Sequence, residues 1–205
     1  MEKDITNIQN ECIKVFFLGE SGVGKSNIIN ILMGKVFNEH EATTGSQSFC
    51  EKKILLKKKE HKLHLWQAIS QEKYRELTKL FYTDSKIVIF VYEIIYKKSF
   101  DELNYWIKSV EDKIGPDFVR GIIANKIDLY KDEQVSSDEG QEFAKSKNAK
   151  FLEFSAKSEG PEKLEIFLTE LLKEYLEKEN EKENKNNDKI ILNEAKKKKK
   201  NNCAK

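Results

Sequence analysis

The run Gly19-Glu20-Ser21-Gly22-Val23-Gly24-Lys25-Ser26 matches G-x-x-x-x-G-K-[ST] at every fixed position. Each fixed residue type answers a need of phosphate chemistry. Gly22 and Gly24 let the backbone turn tightly, so that N–H groups along the loop, those of Ser21, Val23 and Asn27 among them, point at phosphate oxygens. The helix N-terminus behind the loop adds a favourable field for anions. Lys25 would reach the β- and γ-phosphates, and the Ser26 hydroxyl would hold Mg²⁺. Two further groups could read a base. Asn125-Lys126-Ile127-Asp128 offers a carboxylate at Asp128 that can accept from both the ring N–H and the exocyclic amine of guanine, a pair adenine lacks. Lys126 would lie along the base, Asn125 opens the motif, and Ser155-Ala156-Lys157 would supply backbone N–H to the base oxygen.

These groups need rigid elements behind them. Ile13 to Leu18 is an apolar run interrupted only by Lys14, as in a strand buried on both faces, and it leads straight into Gly19. Helical apolar spacing follows from Asn27 to Met33. Strands are expected at Ser48–Lys57 and Lys62–Trp66 around a charged KKKEHK turn, then a helix from Ser70 to Leu80. Lys86 to Tyr92 reads as a β-branched strand. Ser99 with Glu102 reads as a capping box opening a helix to about Lys113. Val119–Ala124 is a strand that delivers Asn125, Ser137–Lys147 a helix, and Phe151–Phe154 a strand that delivers Ser155. A closing helix from Pro161 to about Glu179 carries Leu164, Phe167, Leu168, Leu171, Leu172 and Tyr175 on one face. The alternation predicts a mainly parallel sheet with helices on both sides and one antiparallel edge strand, with ligands bound where strands end.

The chain has 205 residues, room for one sizeable domain. Its 37 basic and 35 acidic side chains nearly cancel, which gives no argument for nucleic acid as a partner. The cations concentrate at the end: residues 181–205 hold nine lysines against four acidic groups, whereas 1–180 hold 28 basic against 31 acidic. The expected organisation is a short extension at 1–10, a domain at 11–180 and a disordered lysine-rich tail at 181–205. Three cysteines, Cys12, Cys50 and Cys203, are too few and too scattered for a disulfide framework or a metal site, and they point to a reduced, cytoplasmic setting. His61 and His64 read as surface side chains, and Cys12 and Cys50 as inert thiols. No apolar run is long enough to span a bilayer, and residues 1–10 lack the apolar stretch of a secretory signal.

In this order the phosphate loop, NKID and SAK resemble the small G proteins of the Ras superfamily. Trp66 with Gln71-Glu72-Lys73-Tyr74-Arg75, Phe81-Tyr82, and Val91-Tyr-Glu-Ile-Ile-Tyr-Lys-Lys-Ser99-Phe100 resemble the Rab family in particular, over about residues 11–178. The resemblance implies a P-loop G domain with a six-stranded sheet and about five helices. It also implies GTP or GDP with Mg²⁺, and two switch segments that recruit effector and regulatory proteins in a vesicle-trafficking setting.

The resemblance also assigns residues. A switch threonine that binds Mg²⁺ would be Thr44, by its spacing from Ser26, Phe37 and Phe49, although the local wording TTG fits Thr43. Phe37 is a candidate to pack against guanine, or equally a core residue. The family's W-D-T-A-G-Q-E reads here Trp66-Gln67-Ala68-Ile69-Ser70-Gln71-Glu72. Gln67 therefore replaces a carboxylate near the metal, and Ser70 replaces a glycine whose N–H meets the γ-phosphate. Gln71 survives at the position that orients the attacking water. The chain has two arginines, Arg75 and Arg120, and neither looks like an arginine finger, so slow or absent hydrolysis is expected. The alternative is a pseudo-GTPase that holds nucleotide as a structural cofactor within a larger assembly. Lys196–Lys200 followed by Cys203 could support peripheral contact with a membrane on its cytosolic face, although Cys203 stands third from the end and fits no prenylation motif. Outside any assembly a monomer is expected.

Overall fold

The computed structural model describes residues 12–39, 49–67 and 75–202, with side chains up to 185 apart from those of Arg75 and Leu77. Six strands form one sheet in the order β2-β3-β1-β4-β5-β6. They are β1 (Ile13–Leu18), β2 (Phe49–Leu56), β3 (Lys59–Gln67), β4 (Ile87–Glu93), β5 (Val119–Asn125) and β6 (Lys150–Phe154). β2 runs antiparallel to β3 at one edge, and the other pairings are parallel. The expected mostly parallel sheet with one antiparallel edge strand is what forms. The helices are α1 (Lys25–Leu32), α2 (Arg75–Phe81), α3 (Lys97–Asp101), α4 (Leu103–Ile114), α5 (Ser137–Ser146) and α6 (Glu162–Asn202), with a 3₁₀ helix at Ile127–Asp132.

Two apolar layers flank the sheet. Alternating residues of β1, Ile13, Val15 and Phe17, pack with α1 and with Leu164, Phe167, Leu168, Leu171, Leu172 and Tyr175 of α6. The face of α6 read from its spacing is therefore the buried one. Phe16 and Leu18 point the other way, toward Leu103, Trp106, Ile107 and Val110 of α4. β4 and β5 are buried at every position, as strands covered on both faces must be.

Several boundaries differ from the sequence reading, each for a local reason. The β2–β3 turn is not six residues but two: Lys57 and Lys58 both take left-handed φ, 51° and 64°, which matches the right-handed twist of a tight hairpin. Ser99 is no helix cap. It lies inside α3, fully buried, and its Oγ donates 2.7 Å to the Tyr96 carbonyl while accepting from the Glu93 N–H at 3.1 Å. The expected helix from Ser99 is also two, broken at Glu102. Residues 70–74 of the helix expected from Ser70 lie outside the described residues. At α5 the N-cap is Ser136, whose side chain accepts from the Glu139 N–H. α6 continues past the expected end near Glu179 to Asn202, because nothing after Pro161 is glycine or proline. Acid–base pairs support it one turn apart, Lys178 with Glu174 at 3.0 Å and Lys182 with Glu179 at 2.8 Å, and Lys182 also reaches Asp117 at 2.7 Å.

Candidate functional site

β1 delivers its last residue, Leu18, to the foot of the glycine-rich loop, and α1 leaves from the loop's far end. Gly24 caps α1 in a left-handed conformation (φ 95°), and a Cβ there would overlap the Asn125 amide. At Gly19 a Cβ would overlap the Val91 carbonyl of β4. The loop is thus pressed onto the ends of β4 and β5. Ser21 and Gly22 face solvent, while Val23 is buried in the core.

Lys25 lies across this loop. It is 4% exposed, and Nζ donates to the carbonyls of Gly19 at 2.9 Å and Glu20 at 2.6 Å. Burial pushes its ammonium down to about 7, partly opposed by the nearby Glu20 carboxylate. Glu20 is itself buried and accepts from Trp106 Nε1 at 3.3 Å, which ties the loop to α4. Ser26 Oγ donates 2.9 Å to Oε1 of Gln67, the last residue of β3. A hydroxyl has one proton and two lone pairs, so an oxygen that donates its proton to Gln67 keeps the lone pairs that a cation would use. The donor set therefore fits Mg²⁺, with Gln67 supplying an oxygen but no charge. Asn27 turns its side chain to the chain beyond α1: Nδ2 donates to the Asn38 carbonyl and Oδ1 accepts from the Asn38 N–H, both at 3.0 Å.

The two base-reading groups meet the loop from the next strands. Asn125 ends β5, is 1% exposed, and joins three segments. Its Nδ2 donates to the Val23 carbonyl at 2.8 Å, and its Oδ1 accepts from the Ala156 N–H at 3.2 Å. Lys126 takes a left-handed φ of 65°, and its Nζ pairs with the Glu93 carboxylate at the end of β4. Asp128 Oδ1 accepts from Ser155 Oγ at 2.6 Å, which fixes the carboxylate and leaves Oδ2 for a ligand. Ser155 is fully buried, and its N–H donates to Glu159 at 2.8 Å. Lys157 is exposed and only loosely paired with Glu39, at 3.9 Å. Phe37 is half-buried against the core layer that holds α1.

The structure thus brings together Gly19, Ser21, Gly22, Val23, Gly24, Lys25, Ser26, Asn125, Asp128, Ser155 and Ala156 around one end of the sheet, with Lys126 and Lys157 beside them. Thr43, Thr44, Ser70 and Gln71 lie outside the described residues. Sequence reasoning passed over Glu20, Glu93 and Glu159. Only the position of Glu20 inside the glycine-rich loop could have drawn notice; the other two are visible only once the chain is folded.

A phosphate cradle, a buried lysine and a hydroxyl poised for a cation, all at the carboxyl ends of parallel strands, define a P-loop nucleotide-binding protein. The model of the Ras family matches residues 14–177. The chain belongs to the Ras family, and its relatives are Rab-like members of it. It is 34% identical over 174 residues to the Ras-related protein Rab-8B of Homo sapiens, covering 85% of this chain and 83% of that one. It is 34% identical over 173 residues to the Ras-related protein Rab-8 of Diplobatis ommata, covering 84% and 81%. The GTP-binding protein ypt3 of Schizosaccharomyces pombe is 33% identical over 162 residues, covering 78% and 76%.

Proposed function

We propose that this protein binds GTP and GDP with Mg²⁺ and acts as a slow guanine-nucleotide switch in vesicle trafficking. The observation that carries the reading is the Asn125 side chain, which ties the phosphate loop at Val23 to the base-reading loop at Ala156. Phosphate and base sites built on one buried amide form a single nucleotide site. Gly19, Ser21, Gly22, Val23, Gly24 and Asn27 offer backbone N–H to the phosphates. Lys25 leaves the Gly19 and Glu20 carbonyls for the β- and γ-oxygens. Asp128 reads guanine, Lys126 and Phe37 flank the base, and Ser155, Ala156 and Lys157 close over its oxygen. Ser26 and Thr44 hold Mg²⁺, which when bound offsets phosphate charge. Gln71 orients water for hydrolysis, and the loss of charge at Gln67 makes that step slow.

The relatives, named as Rab and as GTP-binding, favour a switch over a scaffold subunit. We read residues 11–180 as the switch domain, engaging effector and regulatory proteins through its two switch segments. The lysines of 181–205 would add attraction to an anionic membrane surface from the cytosolic side, roughly 1 kcal/mol each where they touch it. Among the described residues no helix is long and apolar enough to cross a membrane.

The test is competitive binding of GTP and ATP to the full chain and to Lys25→Ala. GTP should win over ATP by at least about a hundredfold, the discrimination expected of a paired carboxylate contact, and Lys25→Ala should abolish tight binding of both. Equal affinity for the two nucleotides would overturn the base assignment, and a fully active Lys25→Ala the phosphate assignment.

A further inference from the structure

The sheet has a face away from α1 and α6, and on its β2–β3–β1 side three chemically distinct ligand residues converge. His64 of β3 stands directly opposite Glu51 of β2 and beside Lys14 of β1. Cys12 precedes β1 by one residue and Lys14 by two, so strand alternation sets it on the same face as Lys14. One ligand atom from each of Cys12, Glu51 and His64 lies within 4.8 Å of the other two, and His64 Nε2 is 3.6 Å from Glu51 Oε2.

We propose that Cys12, Glu51 and His64 form a Zn²⁺ site with three protein ligands and a fourth position open to solvent. A tetrahedral zinc with ligands at ordinary lengths holds its donor atoms about 3.4–3.6 Å apart. The His64–Glu51 pair already has that separation, and Cys12 reaches it by a small side-chain rotation at an exposed position. Sulfur, imidazole nitrogen and one carboxylate are a zinc-type set, unlike the all-oxygen set that suits Mg²⁺. The His64 ring is also held: Phe49 lies against it with centroids 4.4 Å apart. The cations beside it have other partners: Lys14 Nζ donates to the Thr83 carbonyl at 2.9 Å and sits 5.1 Å from the centre of the Trp66 ring, and Lys53, next to Glu51 on the same face, pairs with Glu60 at 3.1 Å.

Binding replaces the Cys12 S–H bond by an S–Zn bond, and the proton passes to buffer. The metal would clamp the start of β1 to both strands of the edge hairpin, next to the Phe49–Trp66 stack. Its open position would take water or a donor from another molecule. Residues 12, 51 and 64 are too far apart in the chain for any ligand spacing to show, which is why Cys12 reads as an inert thiol and His64 as a surface side chain from the sequence.

Metal-free, reduced full-length protein titrated with Co²⁺ tests this. One equivalent should bring up a thiolate-to-cobalt charge-transfer band with intense tetrahedral d–d bands, and Zn²⁺ should displace both. Cys12→Ser should remove the charge-transfer band. His64→Ala should weaken Zn²⁺ at least about a hundredfold, beyond the effect of losing an outer-shell partner. Cys50→Ser, on the opposite face against the core, should change neither. As a readout free of substitutions, Zn²⁺ should slow alkylation of Cys12 in the native chain at least about tenfold, because a zinc-bound thiolate is no longer a free nucleophile. No charge-transfer band, a band that survives Cys12→Ser, undiminished affinity in His64→Ala, or an alkylation rate indifferent to Zn²⁺ would each overturn the proposal.

Discussion

Asn125→Ala should be among the most costly single changes in this domain, although it removes only three side-chain heavy atoms. The side chain is 1% exposed and makes two hydrogen bonds to backbone groups, the Val23 carbonyl at 2.8 Å and the Ala156 N–H at 3.2 Å. Alanine leaves both without this partner. An unsatisfied buried backbone group costs about 1–3 kcal/mol, so the pair sets an expectation of about 2–6 kcal/mol before any relaxation. For a domain of this size each 1 kcal/mol shifts the midpoint by about 2–4 °C, which puts the expected loss between about 4 and about 24 °C. Thermal and urea unfolding of nucleotide-free protein would read it, with the exposed Gln141→Ala as a control expected to stay within about 0.5 kcal/mol. Asn125→Asp should do no better, because a buried carboxylate oxygen would face the Val23 carbonyl in place of the amide N–H. An Asn125→Ala variant as stable as the parent would refute the view that this one amide joins the two halves of the site.

Two other outcomes follow from the same geometry. Burial holds the free Lys25 ammonium at about 7, and a phosphate beside it favours the charged form, so binding takes up a proton above that pH. Affinity for GDP should fall about fivefold between pH 7 and pH 8, the equivalent of about 1 kcal/mol, with this contribution flat well below pH 7. Calorimetry at pH 8 in buffers of different ionisation heat measures the uptake, since the terminal phosphate is fully ionised by then; no uptake would contradict the depressed lysine. Gln67→Asp with Ser70→Gly places a carboxylate beside the Ser26 hydroxyl, where Gln67 Oε1 now accepts at 2.9 Å. It should raise Mg²⁺ affinity in the GTP complex about tenfold or more, as a charged hydrogen-bond partner does over a neutral one, and speed single-turnover hydrolysis. If neither rate nor metal dependence moves, the account of the second switch fails.

What the sequence disclosed and what it hid divide along physical lines. The glycine-rich loop was legible because its chemistry is contiguous: strand, glycines, lysine and serine within one stretch of chain. The buried strands were legible because β1, β4 and β5 are predominantly apolar runs, broken in β1 only by Lys14, and the inner face of α6 because its spacing is helical. The capping-box reading of Ser99 failed because a serine followed by a glutamate three residues on has the same letters whether it caps a helix or is buried against Tyr96 and Glu93. Contacts between distant segments left no mark in the letters. Ser26 meets Gln67 across 41 residues and Asn125 meets Val23 across 102, and these fix the geometry of the site. The Gln67 substitution was visible as an oddity, but its bond to Ser26 needed β3 placed beside β1.

The most direct test of the account is the affinity of nucleotide-stripped protein for GTP and for GDP, each measured with Mg²⁺ and again with chelator. A guanine-nucleotide switch built on Ser26 and the phosphate loop predicts tight binding of both, tightened further by Mg²⁺ and more so for GTP than for GDP. Tight binding indifferent to Mg²⁺ and to the γ-phosphate, or no binding of either nucleotide, would contradict it.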